Sequence, residues 1–372
     1  MLKICHVVDG LGFGGLEKTV IEIVSNLKGY EHQVWCLKDK GVLAGQIEGR
    51  GITVREFNFS GRLKPSLIYK LVRELKKENF SIVHCHGLFP SIWGRLAAIV
   101  ARVPIRIVHC QNLYYGHALR TIIKLWLLSY FTTKIIAVSE AVKMCLIKFV
   151  AIRPEKIIVI YNSSPDFKLQ SPYPNNKIRG NLGLNSDNFV IGTIGRLMDF
   201  KGHRFLIEAV AKCKSSYPHC KCIIGGDGPE KENLKLKIKS LNLDDTVLIL
   251  GWKKDIENLL LAMDVFVYPS ILREGLPLAL VEAASFSLPL IGTDIGGIPE
   301  IILDGVNGFI VPHSNSDAIA EKIKFFIENA AERKKMGESS REEWREKFTL
   351  EEMISKIDSL YKGLLINERI RK

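Results

Sequence analysis

No two of the eight cysteines in this 372-residue chain make a C-x-x-C pair. That absence removes the commonest zinc-ribbon and redox signatures. Cys5, Cys36, Cys85, Cys110 and Cys222 fall instead in apolar, strand-like runs, the setting of buried reduced thiols in a cytosolic protein. Also missing is an uncharged apolar run of the roughly 20 residues that a membrane-spanning helix needs. The opening residues Met1 to His6 already read as a core strand, so the expectation is a cytoplasmic chain without a signal peptide.

Acidic residues are in deficit: 40 Asp and Glu stand against 52 Lys and Arg, a formal charge of +12. The deficit is local. Residues 1–165 hold 23 basic and 11 acidic side chains, while residues 166–372 hold 29 of each. The first half is therefore expected to face something anionic, either a membrane surface or a nucleic acid. For the nucleic-acid reading the chain lacks an interleaved aromatic platform and a recognition motif. With 47% hydrophobic and 25% charged residues, it is a folded globular protein long enough for two domains.

What is present is alternation. Strand-like runs at 2–8, 32–37, 52–57, 82–85, 105–109, 135–138 and 157–160 are interspersed with helical patterns such as 66–77 and 92–101. That order predicts a parallel sheet covered by helices. The periodicity stops in "YNSSPDFKLQSPYPNN", residues 161–176, which reads as a linker. It restarts with strands at 189–194, 220–224, 247–250, 265–268 and 290–292, and with helices from His203, Glu230 and Pro277. The fold class is thus α/β, two doubly wound Rossmann-like domains with ligands expected beyond the carboxyl ends of the strands, facing one another across a cleft. Residues 350–365 have helical spacing and could pack on either domain.

Each predicted sheet carries a glycine loop after its first strand. In "VVDGLGFGGLEK", Gly10, Gly12 and Gly15 fit G-x-G-x-x-G between a strand and a helix, the context of a phosphate-binding turn. Asp39 then stands where a dinucleotide fold places its ribose acid. The pattern alone leaves NAD and other phosphates open. In the second loop, "GRLMDFKGH", Arg196 and Lys201 put a guanidinium and an ammonium at a helix entrance, a pairing suited to a diphosphate or to a solvated surface. In "SILREGLPLALVEAASFSLPLIGTDIGGIPE", Pro277 suits the first turn of a helix. Glu274 and Gly275 are then left in the preceding loop and Glu282 lies on the helix among Val281, Ala283 and Ala284. A carboxylate there needs an ion pair or hydrogen bonds, from protein or from ligand hydroxyls.

Taken in order, "FGGLEK", "GRLMDFKG", "GDGP", Gly251-Trp252, the E-x7-E pair Glu274 and Glu282, "GTDIGGIPEII" and "DGVNGFIV" resemble the GT-B glycosyltransferases, specifically the retaining family 4 or group 1 enzymes. The resemblance covers nearly the whole chain. It implies an acceptor-side domain at 1–165, a nucleotide-sugar domain at 166–349 and a closing helix at 350–372 that crosses back. The first loop, through Gly14 and Gly15, would then close over the donor diphosphate rather than bind NAD. Arg196 and Lys201 would hold the diphosphate and stabilise the departing phosphate, and Glu282 would accept the ribose hydroxyls. Glu274 would lie by the transferred sugar, with the backbone of Gly275, Leu276 and Pro277 touching sugar or phosphate. A UDP-sugar is the expected donor, and neither a cofactor nor a divalent metal is needed. The family's first-domain histidine falls on His109 in "VPIRIVHCQN", or on Gln111 if the register ends two residues later.

His84 and His86 alternate about Cys85 on one side of a strand, too few ligands for a metal site, and His86 is expected on the acceptor side. In "GHALRTIIKLWLLSYFTTK", His117, Arg120 and Lys124 form a basic stripe beside an apolar helix, either the outer face of a core helix or an interfacial one. With the basic first half, this points to an anionic membrane surface, a lipid-linked glycan acceptor and cell-surface polysaccharide or lipopolysaccharide synthesis. A sugar-nucleotide epimerase or a phosphorylase of the same fold, and a basic nucleic-acid binder, are the competing readings.

Overall fold

The β-branched runs become strands and the amphipathic stretches between them become helices. The computed structural model describes residues 2–59, 65–167 and 176–370. Of the linker-like stretch, residues 168–175 lie outside the described residues. The chain forms two units, Met1–Asn162 with Leu350–Lys372, and Ser163–Thr349.

In the first unit the strands are β1 (Leu2–Val8), β2 (Tyr30–Cys36), β3 (Thr53–Glu56), β4 (Ile82–His86), β5 (Ile105–Cys110), β6 (Lys134–Ala137) and β7 (Ile157–Val159). They pair in the order β3-β2-β1-β4-β5-β6-β7, all parallel. Helices α1 (Gly15–Asn26), α2 (Ala44–Glu48), α3 (Pro65–Glu78), α4 (Leu88–Val100), α5 (Leu119–Ser129) and α6 (Glu140–Val150) supply the crossovers. The sheet order reverses between β1 and β4, which puts the loops after those strands at the switch point where such sheets bind ligands.

The second unit repeats the plan. Its strands β8 (Phe189–Ile194), β9 (Cys220–Gly225), β10 (Val247–Gly251), β11 (Val265–Tyr268), β12 (Leu290–Thr293) and β13 (Gly308–Val311) run in the order β10-β9-β8-β11-β12-β13. Around them pack α7 (Asn176–Asn181), α8 (His203–Lys214), α9 (Lys231–Ser240), α10 (Ile256–Ala262), α11 (Leu278–Ser285), α12 (Ser316–Glu328) and α13 (Ala330–Lys347). Ile191, Ile224, Val267 and Ile291 from the sheet meet Leu206, Val210 and Ile323 from α8 and α12 in one apolar core.

The last helix, α14 (Leu350–Ile370), belongs to the first unit. Met353, Ile357 and Tyr361 recur at i, i+4 and i+8 and are buried against Ile4, Ile105 and Ile136. Burial of each such side chain stabilises by about 1.5–3 kcal/mol. Polar contacts fix the register: Tyr30 donates to Asp358 at 2.8 Å, and the Tyr361 hydroxyl lies 2.6 Å from His84 Nδ1.

The same sheet face carries an unusual core feature, a row of five buried imidazoles from His6, His32, His84, His86 and His109. Its polarity can be read from one end. The Leu27 carbonyl only accepts, so His32 Nε2 donates to it at 2.9 Å. His32 Nδ1 must then accept from His6 Nε2, and His6 Nδ1 from His86 Nε2, each at 3.1 Å. The chain of bonds ends at His86 Nδ1, which has no partner. Burial is the main cause holding His6, His84 and His86 well below the usual imidazole range, and it lowers His109 to about 4.

These rings stay neutral in the folded chain, whereas in the unfolded chain they take up protons below about pH 6.5. Stability contributed by neutrality is therefore complete above that pH and is lost as pH falls. Each ring costs on the order of 1 kcal/mol by pH 5.5. Thermal unfolding followed between pH 8 and pH 5 should show a midpoint that is flat above about pH 7 and falls steeply below pH 6.5; a flat profile throughout would contradict neutral burial.

Candidate active site

In the second unit the candidate side chains Lys201 and Glu274 meet where the parallel strands β8 and β11 end side by side. The loop after β8 passes Arg196 and a single 3-10 turn, Asp199–Lys201, before α8 begins. Gly202 makes that entry possible. It adopts φ 68°, and a Cβ added there would lie 2.0 Å from the Pro269 carbonyl oxygen. The loop after β8 thus lies directly on the loop after β11, with Ile271 N donating to Phe200 O at 2.8 Å.

That approach brings Lys201 to Glu274. The ammonium donates to Glu274 Oε1 at 2.8 Å and to the Tyr268 hydroxyl at 2.5 Å. Ser270 donates to the same carboxylate oxygen at 2.5 Å, and Tyr268 to Oε2 at 3.3 Å. Glu274 is only 6% exposed. Burial by itself would lower Lys201, but Tyr268 and Glu274 beside it outweigh that and raise the ammonium above its ordinary range. Burial, and then the Glu274 charge, push the Tyr268 hydroxyl up. His203, next along the chain, is lowered to about 3 by burial and by Lys201.

The remaining sequence-predicted residues of this unit lie on the same two loops and on α11. Arg196 is exposed. Gly275, Leu276 and Pro277 are buried, and Pro277 is the N-cap of α11 rather than part of its first turn. The helix starts at Leu278 because Pro277 takes ψ 114°, an extended value outside the helical range. Glu282 is buried on α11, 6% exposed. Tyr268 and Ser270 were not singled out from the sequence. A groove of about 450 Å³ lined by Arg179, Asn188, His219 and Asp264 opens at the amino ends of β8, β9 and β11, the wrong edge of a parallel sheet for this chemistry.

In the first unit Gly14 is the N-cap of α1 and Gly15 its first residue, so the loop ends on a helix start, where anions are favoured. His109 lies within β5 and is wholly buried, its ring parallel to that of His84 at 5.4 Å. Gln111 lies just past the strand, half-buried, with Nε2 unpartnered. Both nitrogens of His109 are unpartnered as well, so the two positions differ in burial and not in pairing. His6, His84 and His86 bring three ring nitrogens within 4.8 Å of one another. Both nitrogens of His6 and Nε2 of His86 are already hydrogen-bonded to neighbouring rings.

Helix α5 carries an exposed apolar stripe: Leu119, Ile123 and Leu127, at i, i+4 and i+8, are 72%, 44% and 49% exposed. Tyr130 and Phe131 extend it, and Arg120 and Lys124 border it, both exposed. His117 precedes the helix, after the positive-φ turn at Gly116, and is not on this face. The carbonyl end of α5 is held by cations, the sign that suits a helix C-terminus. Lys156 Nζ donates to the carbonyls of Ser129, Tyr130 and Thr132, and Arg106 Nε to that of Phe131. Among the described residues no helix is long and apolar enough to cross a membrane.

Two parallel-sheet α/β units with ligand-side loops of this composition define a GT-B glycosyltransferase, and comparison with known proteins agrees. Residues 174–343 match the glycosyl transferases group 1 and residues 13–163 match Glycosyltransferase Family 4. The UDP-Gal:alpha-D-GlcNAc-diphosphoundecaprenol alpha-1,3-galactosyltransferase of Escherichia coli is 31% identical over 311 residues, covering 81% of this chain and 79% of its own. The capsular polysaccharide biosynthesis glycosyltransferase CapM of Staphylococcus aureus is 28% identical, covering 80% of each. Anabaena HepE, solved in complex with UDP, superposes with a TM-score of 0.86 at 25% identity, over 97% of this chain and 100% of that one. The chain belongs to the group 1 glycosyltransferases, and it is an enzyme of sugar transfer.

The site makes a structural demand that can be checked directly. Gly202→Ala would force a left-handed alanine against the Pro269 carbonyl, and it should lower stability by about 2 kcal/mol or more. Urea unfolding measures this; a variant as stable as the parent would mean that the two loops separate without cost.

Proposed function

We propose that the chain transfers a sugar, with retention of anomeric configuration, from a UDP-sugar held by the second unit to a lipid-linked glycan acceptor, in cell-surface polysaccharide or lipopolysaccharide synthesis. The observation that carries the donor half is the convergence of Arg196, the Lys201–Glu274 pair and the start of α11 at the carboxyl edge of one sheet. The UDP in the HepE structure supports the nucleotide, and the E. coli relative's named donor and undecaprenol-linked acceptor support the substrate classes.

In this reading Arg196 and Lys201 hold the diphosphate. Glu282 accepts hydrogen bonds from the ribose. Glu274 faces the transferred sugar, with the Gly275–Leu276–Pro277 backbone against sugar or phosphate. The sugar–phosphate bond breaks on the face where the acceptor hydroxyl arrives. The departing phosphate takes the hydroxyl's proton while the two cations stabilise its growing charge. These cations and the helix start do the work that a divalent metal does elsewhere, so none is required.

Changing Arg196 or Lys201 to Ala should each reduce turnover by on the order of 10²-fold, and excess EDTA should leave the wild type active. Turnover retained in the double variant would refute the leaving-group assignment, and reversible loss in EDTA would refute the metal-free mechanism.

The acceptor half rests on α5. An exposed apolar stripe edged by Arg120 and Lys124, in the unit that holds the positive excess, suits attachment to the inner face of an anionic membrane. Each cation near such a surface contributes about 1 kcal/mol, less as salt shortens the Debye length. Vesicles containing anionic lipid should co-sediment the protein at low salt, neutral vesicles should not, and Arg120→Glu with Lys124→Glu should abolish most of the binding. Equal retention by single-stranded or duplex nucleic acid would favour the competing reading.

A further inference from the structure

Tyr268 is the last residue of β11, in a run, Val265 to Tyr268, that is buried throughout. Its ring continues the core, near-parallel to Phe266 at 6.5 Å. Its hydroxyl, however, enters the charged centre, accepting from Lys201 at 2.5 Å and donating to Glu274 Oε2 at 3.3 Å. A lysine ammonium has three N–H donors. Two are committed here, one to Glu274 and one to Tyr268. With two of its tetrahedral directions fixed by partners on one buried strand end and the following loop, the third is fixed as well.

We propose that Tyr268 is a positioning residue of the donor site: its hydroxyl and Glu274 together aim the remaining N–H of Lys201 at a ligand phosphate. The proposal rests on the donor reading above. Lys201 on its own would be a flexible point charge with four rotatable bonds. Tied at two points it is pre-organised, and no side-chain freedom is lost when the anion arrives. The second role of the hydroxyl follows from the geometry. Glu274 Oε1 has Lys201 and Ser270 as donors, whereas Oε2 has Tyr268. Tyr268 therefore also sets the rotation of the carboxylate. Phenylalanine at this position would keep the ring in the core and remove both effects.

Calorimetry on the full chain with UDP and with uridine tests this, because uridine lacks the phosphates that Lys201 would meet. Tyr268→Phe should weaken UDP by about fivefold or more, the scale of a hydrogen bond to a charged group, and leave uridine within about twofold. Phe266→Leu, which disturbs the same packing without touching a hydroxyl, should leave both unchanged. Unchanged UDP affinity in Tyr268→Phe overturns the proposal. So does an equal loss for UDP and uridine, which would make Tyr268 a packing residue. Lys201→Ala separates the two layers of argument. If it leaves UDP affinity intact, the donor reading itself fails and Tyr268 falls with it. If Lys201→Ala weakens UDP and Tyr268→Phe does not, only the positioning role is lost.

Discussion

A buried ammonium–carboxylate contact, Lys201 on Glu274, sets the terms for the second unit. Removing either partner would strand the other charge in a low-dielectric setting, a loss of several kcal/mol. The two loops that carry the pair are therefore held together, and the backbone between them has to permit it. Gly202 meets that demand, since the Pro269 carbonyl occupies the space of a side chain. The Glu274 carbonyl also accepts from Gly297 N at 3.2 Å, which ties the loop after β12 to the same point. The start of α11, and with it the height of Glu282, follows from those constraints.

The fold was legible because its periodicities are long and repeated. Every strand expected in the first half exists within two residues of its expected ends, and the second sheet's first five strands do too. β13 escaped notice because it is four residues long, follows a turn and opens with Gly308, a residue of low strand propensity. Gly308 is there because a side chain would meet the Leu290 carbonyl. The charged loop residues were visible by type and spacing, but their partners were not. In "VFVYPSI" a tyrosine at the end of an apolar run looks like core, and by its ring it is core. Only the neighbouring loop shows what the hydroxyl does. The histidine row was hidden for a similar reason. Its members come from four strands, and nothing in sequence spacing brings His6 to within hydrogen-bonding distance of His86. His117 does not share the helical face that its spacing suggests, because Ala118, extended at ψ 138°, lets the helix begin only at Leu119.

The two units treat charge in opposite ways. In the first, the histidines of the sheet interior are kept neutral by burial and wired to one another. Among the described residues the buried exception is Arg95, which donates to Thr132 Oγ1 beside the end of α5. The unit's positive excess is otherwise carried on its surface, where it adds to long-range attraction for anions and is weakened by salt. In the second, residues 163–349 hold 24 basic and 25 acidic side chains, and a full ion pair is taken inside beside the loop after β8. A short-range, directional role suits the buried pair, because its field acts through low dielectric over a few ångströms.

Placing such a pair inside a protein is unfavourable unless its donors and acceptors find partners, and here two hydroxyls help to supply them, leaving one N–H of Lys201 for a ligand in the proposed reading. Tyr268 and Ser270 supply these hydroxyls from the last turn of a strand and the loop that follows, where the sheet's own hydrogen bonding ends. A hydroxyl can accept from the ammonium and donate to the carboxylate at once, which neither a second cation nor a second carboxylate can do. With Glu274, the Tyr268 hydroxyl also favours the charged form of Lys201. Tyrosine adds an apolar ring that the strand can bury, and serine adds none. The strand end and the loop thus divide the task by residue type. The core-facing position takes the aromatic donor, and the tighter loop position takes the small one.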